Sequence, residues 1–114
     1  MKKVLVLAAV SEAATGLALL IVPSLVGRLL LGSGLTEVSI PVARVAGIAL
    51  LALGIACLPG LALVGMLTYS ALVTVYLAYI AICGEWVGPL LWPAVSIHAI
   101  LVVLLARVWL NKPR

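Results

Sequence analysis

Six side chains in this sequence could do chemistry together: Glu12, Arg44, Tyr76, Tyr79, Ser96 and His98. A carboxylate can exchange a proton or hold a cation, a guanidinium can grip an anionic group through its planar fork of donors, and an imidazole titrates near neutral pH. The three hydroxyls can hydrogen-bond to whatever those charges hold. Glu12, Arg44 and His98 lie inside long apolar runs. An ionisable group in hydrocarbon costs at least about 2.5–3.5 kcal/mol, so each must face a partner or a cavity.

Two uses of the set stand side by side. In one, the six converge into a polar cluster, open toward one side, that takes a small amphipathic ligand, a proton or a partner. In the other, Glu12 and Arg44 form an ion pair that fastens one apolar segment to the next, with the tyrosine hydroxyls completing its hydrogen bonds. With Tyr69, Tyr76 and Tyr79 fall within about 80° of one helix face, a spacing that also suits plain packing.

Other chemistries are not expected. The sequence holds no hydrolase elbow, phosphate-binding glycine loop, metal-binding helix motif or paired-carboxylate site, so neither catalytic residues nor a metal nor enzyme activity is anticipated. His98 is the lone histidine and could give a haem only one axial ligand, so no cofactor is assigned. Cys57 and Cys83 do not make a Cys-x-x-Cys pair.

The elements that must position these residues follow from composition. The chain of 114 residues is 67% hydrophobic and 9% charged, with a mean hydropathy of +1.43; soluble domains run near about 45–50% and about 25%. Too few polar groups exist to cover a water-soluble monomer. A bilayer core takes about 20 residues of helix, and four apolar blocks of that order occur, at residues 4–22, 38–58, 61–83 and 89–110. Stretches such as Ile48–Leu53 are apolar throughout, which excludes the alternation of a membrane β-barrel. The expected architecture is all-α, a polytopic membrane four-helix bundle forming one integral membrane domain over residues 1–114.

Between the first two spans, Pro23 to Gly34 is too short to cross and carries Arg28 among leucines, which reads as a short interfacial helix or a bent extension of the first span. Leu58-Pro59-Gly60 is a tight turn, so the second and third spans form an antiparallel hairpin. Ala9-xxx-Ala13, Ala43-xxx-Gly47 and Ser70-xxx-Thr74-xxx-Ala78 set small side chains on single helix faces and argue for close helix packing.

Topology comes from the basic residues. Lys2 and Lys3 flank the first span, and Arg107, Lys112 and Arg114 the last, so both termini are expected in the cytoplasm, in the inner membrane if the source is prokaryotic. Trp86 and Trp92 then fall near the outer interface and Trp109 near the inner one. Glu37 and Glu85 lie in connections. Cys57 and Cys83 end at opposite faces, too far apart to bridge. The N-terminal Met-Lys-Lys and apolar run imitate a secretory leader, but the apolar stretch resumes after Glu12 and is read as a span. The excess of basic residues reflects topology, and nucleic acid is not an expected partner. The partners considered are the lipid bilayer and a membrane subunit or further copies of the chain.

Two resemblances attach to these residues. The run Glu12-Ala-Ala-Thr-Gly-Leu-Ala-Leu-Leu, then Pro23 and Arg28-Leu-Leu-Leu-Gly, then Ala43-Arg44-Val-Ala-Gly47 with Gly54, resembles the small four-helix DoxX-like membrane proteins over the first half of the chain. That likeness implies a four-span fold and, for some members, association with quinol-oxidising or redox complexes; it assigns no residue a role. In size, span count and a single carboxylate within the first span, Glu12, the chain is also similar to the small multidrug resistance exporters, which implies an alternative function in proton-coupled efflux of small molecules. It departs from them in lacking a Trp-small-Gly motif over Thr68–Tyr76, in its biased basic residues, and in Arg44, which would neutralise the carboxylate.

Overall fold

Where no water reaches the backbone, a helix satisfies every interior peptide group from within its own segment, so long apolar runs fold as helices. In a computed structural model of the chain, which describes residues 2–84 and 86–111, the helices are α1 (Lys2–Ile21), α2 (Pro23–Leu31), α3 (Ser39–Ala56), α4 (Ala62–Cys83) and α5 (Leu91–Leu110). Four of them, α1, α3, α4 and α5, are long and apolar enough to cross a membrane. The all-α, four-span fold expected from the sequence is the fold found, with a short helix between the first two spans. Glu85, Lys112 and Arg114, assigned above to a connection and to the C-terminal flank, lie outside the described residues.

The helix ends have local causes. Val22 precedes Pro23 and takes φ −130° and ψ 61°, because the proline ring drives its predecessor out of the α region. That single residue separates α1 from α2. α2 stops at Gly32 (φ 79°), whose N–H bonds to the Arg28 carbonyl, and α4 stops in the same way at Gly84 (φ 75°), bonded to the Ile80 carbonyl. The left-handed backbone of both caps suits glycine. The last span begins at Leu91, two residues later than the sequence suggests, because Gly88, Pro89 and Leu90 form a turn closed by Leu91 N–H on the Gly88 carbonyl at 3.2 Å.

The four long helices lie in a row. α1 packs most extensively on α3, α3 also packs on α4, and α4 on α5. Among the described residues α1 meets neither α4 nor α5, and α3 does not meet α5. The Cα envelope measures 45 × 34 × 16 Å, a shallow slab. Within the four-span architecture there is therefore no central core shared by all four helices. Ile48 of α3 and Val73 of α4 are the largest fully buried apolar side chains, both at the middle of the row. Val42, Ala46 and Leu53 stay exposed on α3 although it has neighbours on two sides, so one face of the row is open along its central helix.

Glycines set the register. A Cβ added to Gly16 would lie 2.5 Å from both the Gly47 carbonyl oxygen and the Leu51 nitrogen, and one on Gly54 would lie 2.6 Å from the Ala9 carbonyl oxygen. These two antiparallel helices meet backbone to backbone, the approach that small residues allow. The α3–α4 seam is held at Gly65, where a Cβ would come within 2.5 Å of the Ala56 side chain. The upper end of the row is where α2 lies and α5 begins, and the lower end holds the Leu58–Gly60 turn.

Candidate functional site

The register decides which of the six polar residues can meet. With Gly16 beside Gly47 and Leu51, and Gly54 beside Ala9 and Ala13, Glu12 stands level with about Leu53 and Arg44 level with about Ile21. The two differ by about nine residues of helix, or about 13 Å in height. Among the described residues no ion pair joins them, and the buried Nε of Arg44 has no hydrogen-bond partner. The ion pair allowed by the sequence reading is absent from this arrangement.

Arg44 keeps other company. Its charge reaches Tyr79 on α4, whose near neighbours also include Cys83 and Tyr76. Arg44 and Tyr76 stand at about the same height in the upper half of the row, on the paired helices α3 and α4, with Tyr79 about one turn above Tyr76. Arg44 and Tyr76 are half-buried, while Tyr79 is exposed. At the same height lies an apolar cavity of about 280 Å³, lined by Pro41, Val42, Val45, Leu77, Ile80 and Trp86 among others. None of the six polar candidates lines it.

His98 belongs to a different seam. Its Nδ1 donates to the Ala94 carbonyl at 2.8 Å, one turn back on α5, and its ring meets the edge of Tyr69 with centroids 6.0 Å apart and planes at 63°. A carbonyl only accepts, so Nδ1 carries the proton and Nε2 is left as the free nitrogen. Tyr69 is the partner that sequence reading left out of the cluster. Its seven-residue spacing from Tyr76 was the available signal, but only the α4–α5 register turns that shared face toward His98.

Ser96 is exposed on α5, away from His98, since two residues along a helix place side chains on nearly opposite sides. Glu12 is half-buried on α1, and among the described residues no hydrogen bond or ion pair engages its carboxylate. On one side of it Ser11 is exposed, and one turn on so is Thr15, whose hydroxyl donates to the Ser11 carbonyl at 2.9 Å. The six residues therefore fall into three places: Glu12 on one edge helix, Arg44 with Tyr76 and Tyr79 above the middle of the row, and His98 and Ser96 on the other edge helix.

Among the described residues no three His, Cys, Asp or Glu side chains converge as metal ligands would. Cys57 and Cys83 are free and stand near opposite ends of α4, whose 22 residues span about 33 Å at helical rise. No family model matches the chain, and neither does any curated protein or solved structure compared with it.

Proposed function

We propose that this chain is a non-enzymatic integral membrane protein, with both termini in the cytoplasm, that serves as a binding or accessory subunit for a small amphipathic ligand in its outer half. The observation that carries this reading is Arg44. Its Nε is buried without a hydrogen-bond partner, and a charged donor left unmade in an apolar setting is strongly disfavoured. A planar guanidinium suits a carboxylate or phosphate head. The apolar cavity of about 280 Å³ at the same height suits a short tail. The open row of helices gives such a ligand lateral access from the bilayer.

Binding of a fluorescent acyl carboxylate to the detergent-solubilised protein tests the reading. Arg44→Gln should weaken it by about 10- to 100-fold, the worth of a hydrogen bond to a charged group. Arg28→Gln, exposed on α2, should leave it unchanged. Equal affinity of the wild type and Arg44→Gln would sink the proposal.

One observation favours the exporter alternative. Among the described residues Glu12 has no cationic partner, and Arg44 stands about nine residues of helix away from it, so the carboxylate stays free to exchange a proton. Proton-coupled efflux in vesicles that is abolished by Glu12→Gln, in a protein that still folds, would select this second reading.

A further inference from the structure

α1 and α5 are the two end helices of the row, and each carries an ionisable group whose bonding is incomplete, set at the flank of its seam with the neighbouring helix. On α1 the Glu12 carboxylate has neither ion pair nor hydrogen bond among the described residues. On α5 the His98 imidazole donates its Nδ1–H to the Ala94 carbonyl, which leaves Nε2 as the free nitrogen. These two groups complement each other in either protonation state: Nε2 accepts from a protonated carboxyl, and a protonated imidazole donates to a carboxylate. The registers carried across Gly16–Gly47, Gly65–Ala56 and Tyr69–His98 put Glu12 and His98 within about one helical turn of each other in height.

Within one chain they cannot meet. α3 and α4 lie between α1 and α5, and three neighbouring-helix steps of about 8–10 Å separate the two edges by about 25 Å or more. We infer that a second copy closes the row: α1 of each protomer packs against α5 of its partner, so that Glu12 meets the partner's His98 twice about a two-fold axis. The pairing is independent of the ligand reading, which rests on Arg44.

Complementarity is what selects a second copy over lipid. An acyl chain offers the Glu12 carboxyl nothing to bond, whereas the opposite edge of the same chain offers an imidazole nitrogen at the matching height. The α1 face beside Glu12 carries Ala8, Ser11 and Thr15, all exposed, short enough to admit another helix closely. α5 buries only Val95 within its own chain, so most of its surface remains to be covered.

Cross-linking in native membranes tests the pairing. Two differently tagged chains, both carrying Cys57→Ala and Cys83→Ala, are co-expressed, one with Glu12→Cys and the other with His98→Cys. A second set, Ser11→Cys with Ile97→Cys, keeps the native Glu12 and His98 should the first set fold poorly. Oxidation should yield the mixed cross-linked dimer, with loss of that band when either cysteine is absent. Native mass spectrometry of the wild type should report two copies. Cross-links confined to Glu12→Cys with itself would mean that α1 meets α1, and the inference falls. A monomer without cross-links, or a cross-link to a different protein, overturns it as well.

Discussion

Gly16 and Gly47 face each other so closely that a Cβ on either would fall 2.5–2.6 Å from the other's carbonyl oxygen. The obstructing atoms are backbone, which cannot rotate away, so any side chain there forces α1 and α3 apart. Gly16→Ala and Gly47→Ala should each destabilise the protein by about 1–3 kcal/mol, the usual cost of overpacking. Gly88→Ala is the control, since a Cβ there would meet nothing within 4 Å. Detergent unfolding titrations of the three variants check this, and unchanged midpoints for the seam variants would refute the register.

The same register separates Glu12 from Arg44, and a double-mutant cycle reads that separation directly. Groups more than about 7–10 Å apart without shared partners add within about 0.3–0.5 kcal/mol. Glu12→Gln combined with Arg44→Met should therefore cost the sum of the two single changes. Rescue of either single variant by the double would restore the fastening ion pair and move α1 along α3 by about two turns.

The physical reason sequence reading brought these two charges together lies in α2. Counting from span ends treats every helix as starting at one height. Here Val22 and Pro23 end α1, α2 follows it and also packs on α3, and the Gly16–Gly47 register sets the N-terminal part of α3 beyond the end of α1. Arg44 is raised accordingly. The spans themselves were legible, because length and hydropathy are properties of one segment and needed no partner. Ala9 and Ala13 were legible as packing residues too, and both meet Gly54. Gly47 was legible in the same way, in Ala43-xxx-Gly47, but its partner Gly16 was hidden in a composition rich in glycine and alanine. Convergence of six side chains required lateral order as well as depth, and a row of helices keeps its two edges apart in a way no single-segment signal encodes.

Orientation is open to direct labelling. Cys83 is exposed at the upper end of α4, and Cys57 is half-buried at the lower end of α3. In the proposed topology, with both termini cytoplasmic, the upper end faces outward. An impermeant thiol reagent added to intact cells should label Cys83 and spare Cys57, and permeabilisation should expose Cys57. Labelling of Cys57 alone from outside would invert the topology, moving Arg44 and its cavity to the cytoplasmic half.

Ser70 offers a test of the middle of the row. Its side chain is fully buried, and its Oγ has no hydrogen-bond partner. The neighbouring Thr74 hydroxyl bonds to the Ser70 main-chain carbonyl at 2.6 Å, which a change of the Ser70 side chain leaves intact. A buried hydroxyl without a partner costs about 1–3 kcal/mol, so removing it should stabilise the fold. Ser70→Ala is expected to raise the unfolding free energy by about 1 kcal/mol, less than the full cost because a small void replaces the oxygen. Ser70→Val, larger than the space that holds a serine, should lower it through overpacking beside Val73. Destabilisation by Ser70→Ala would instead mean that the hydroxyl finds a partner when the helices pack in the bilayer.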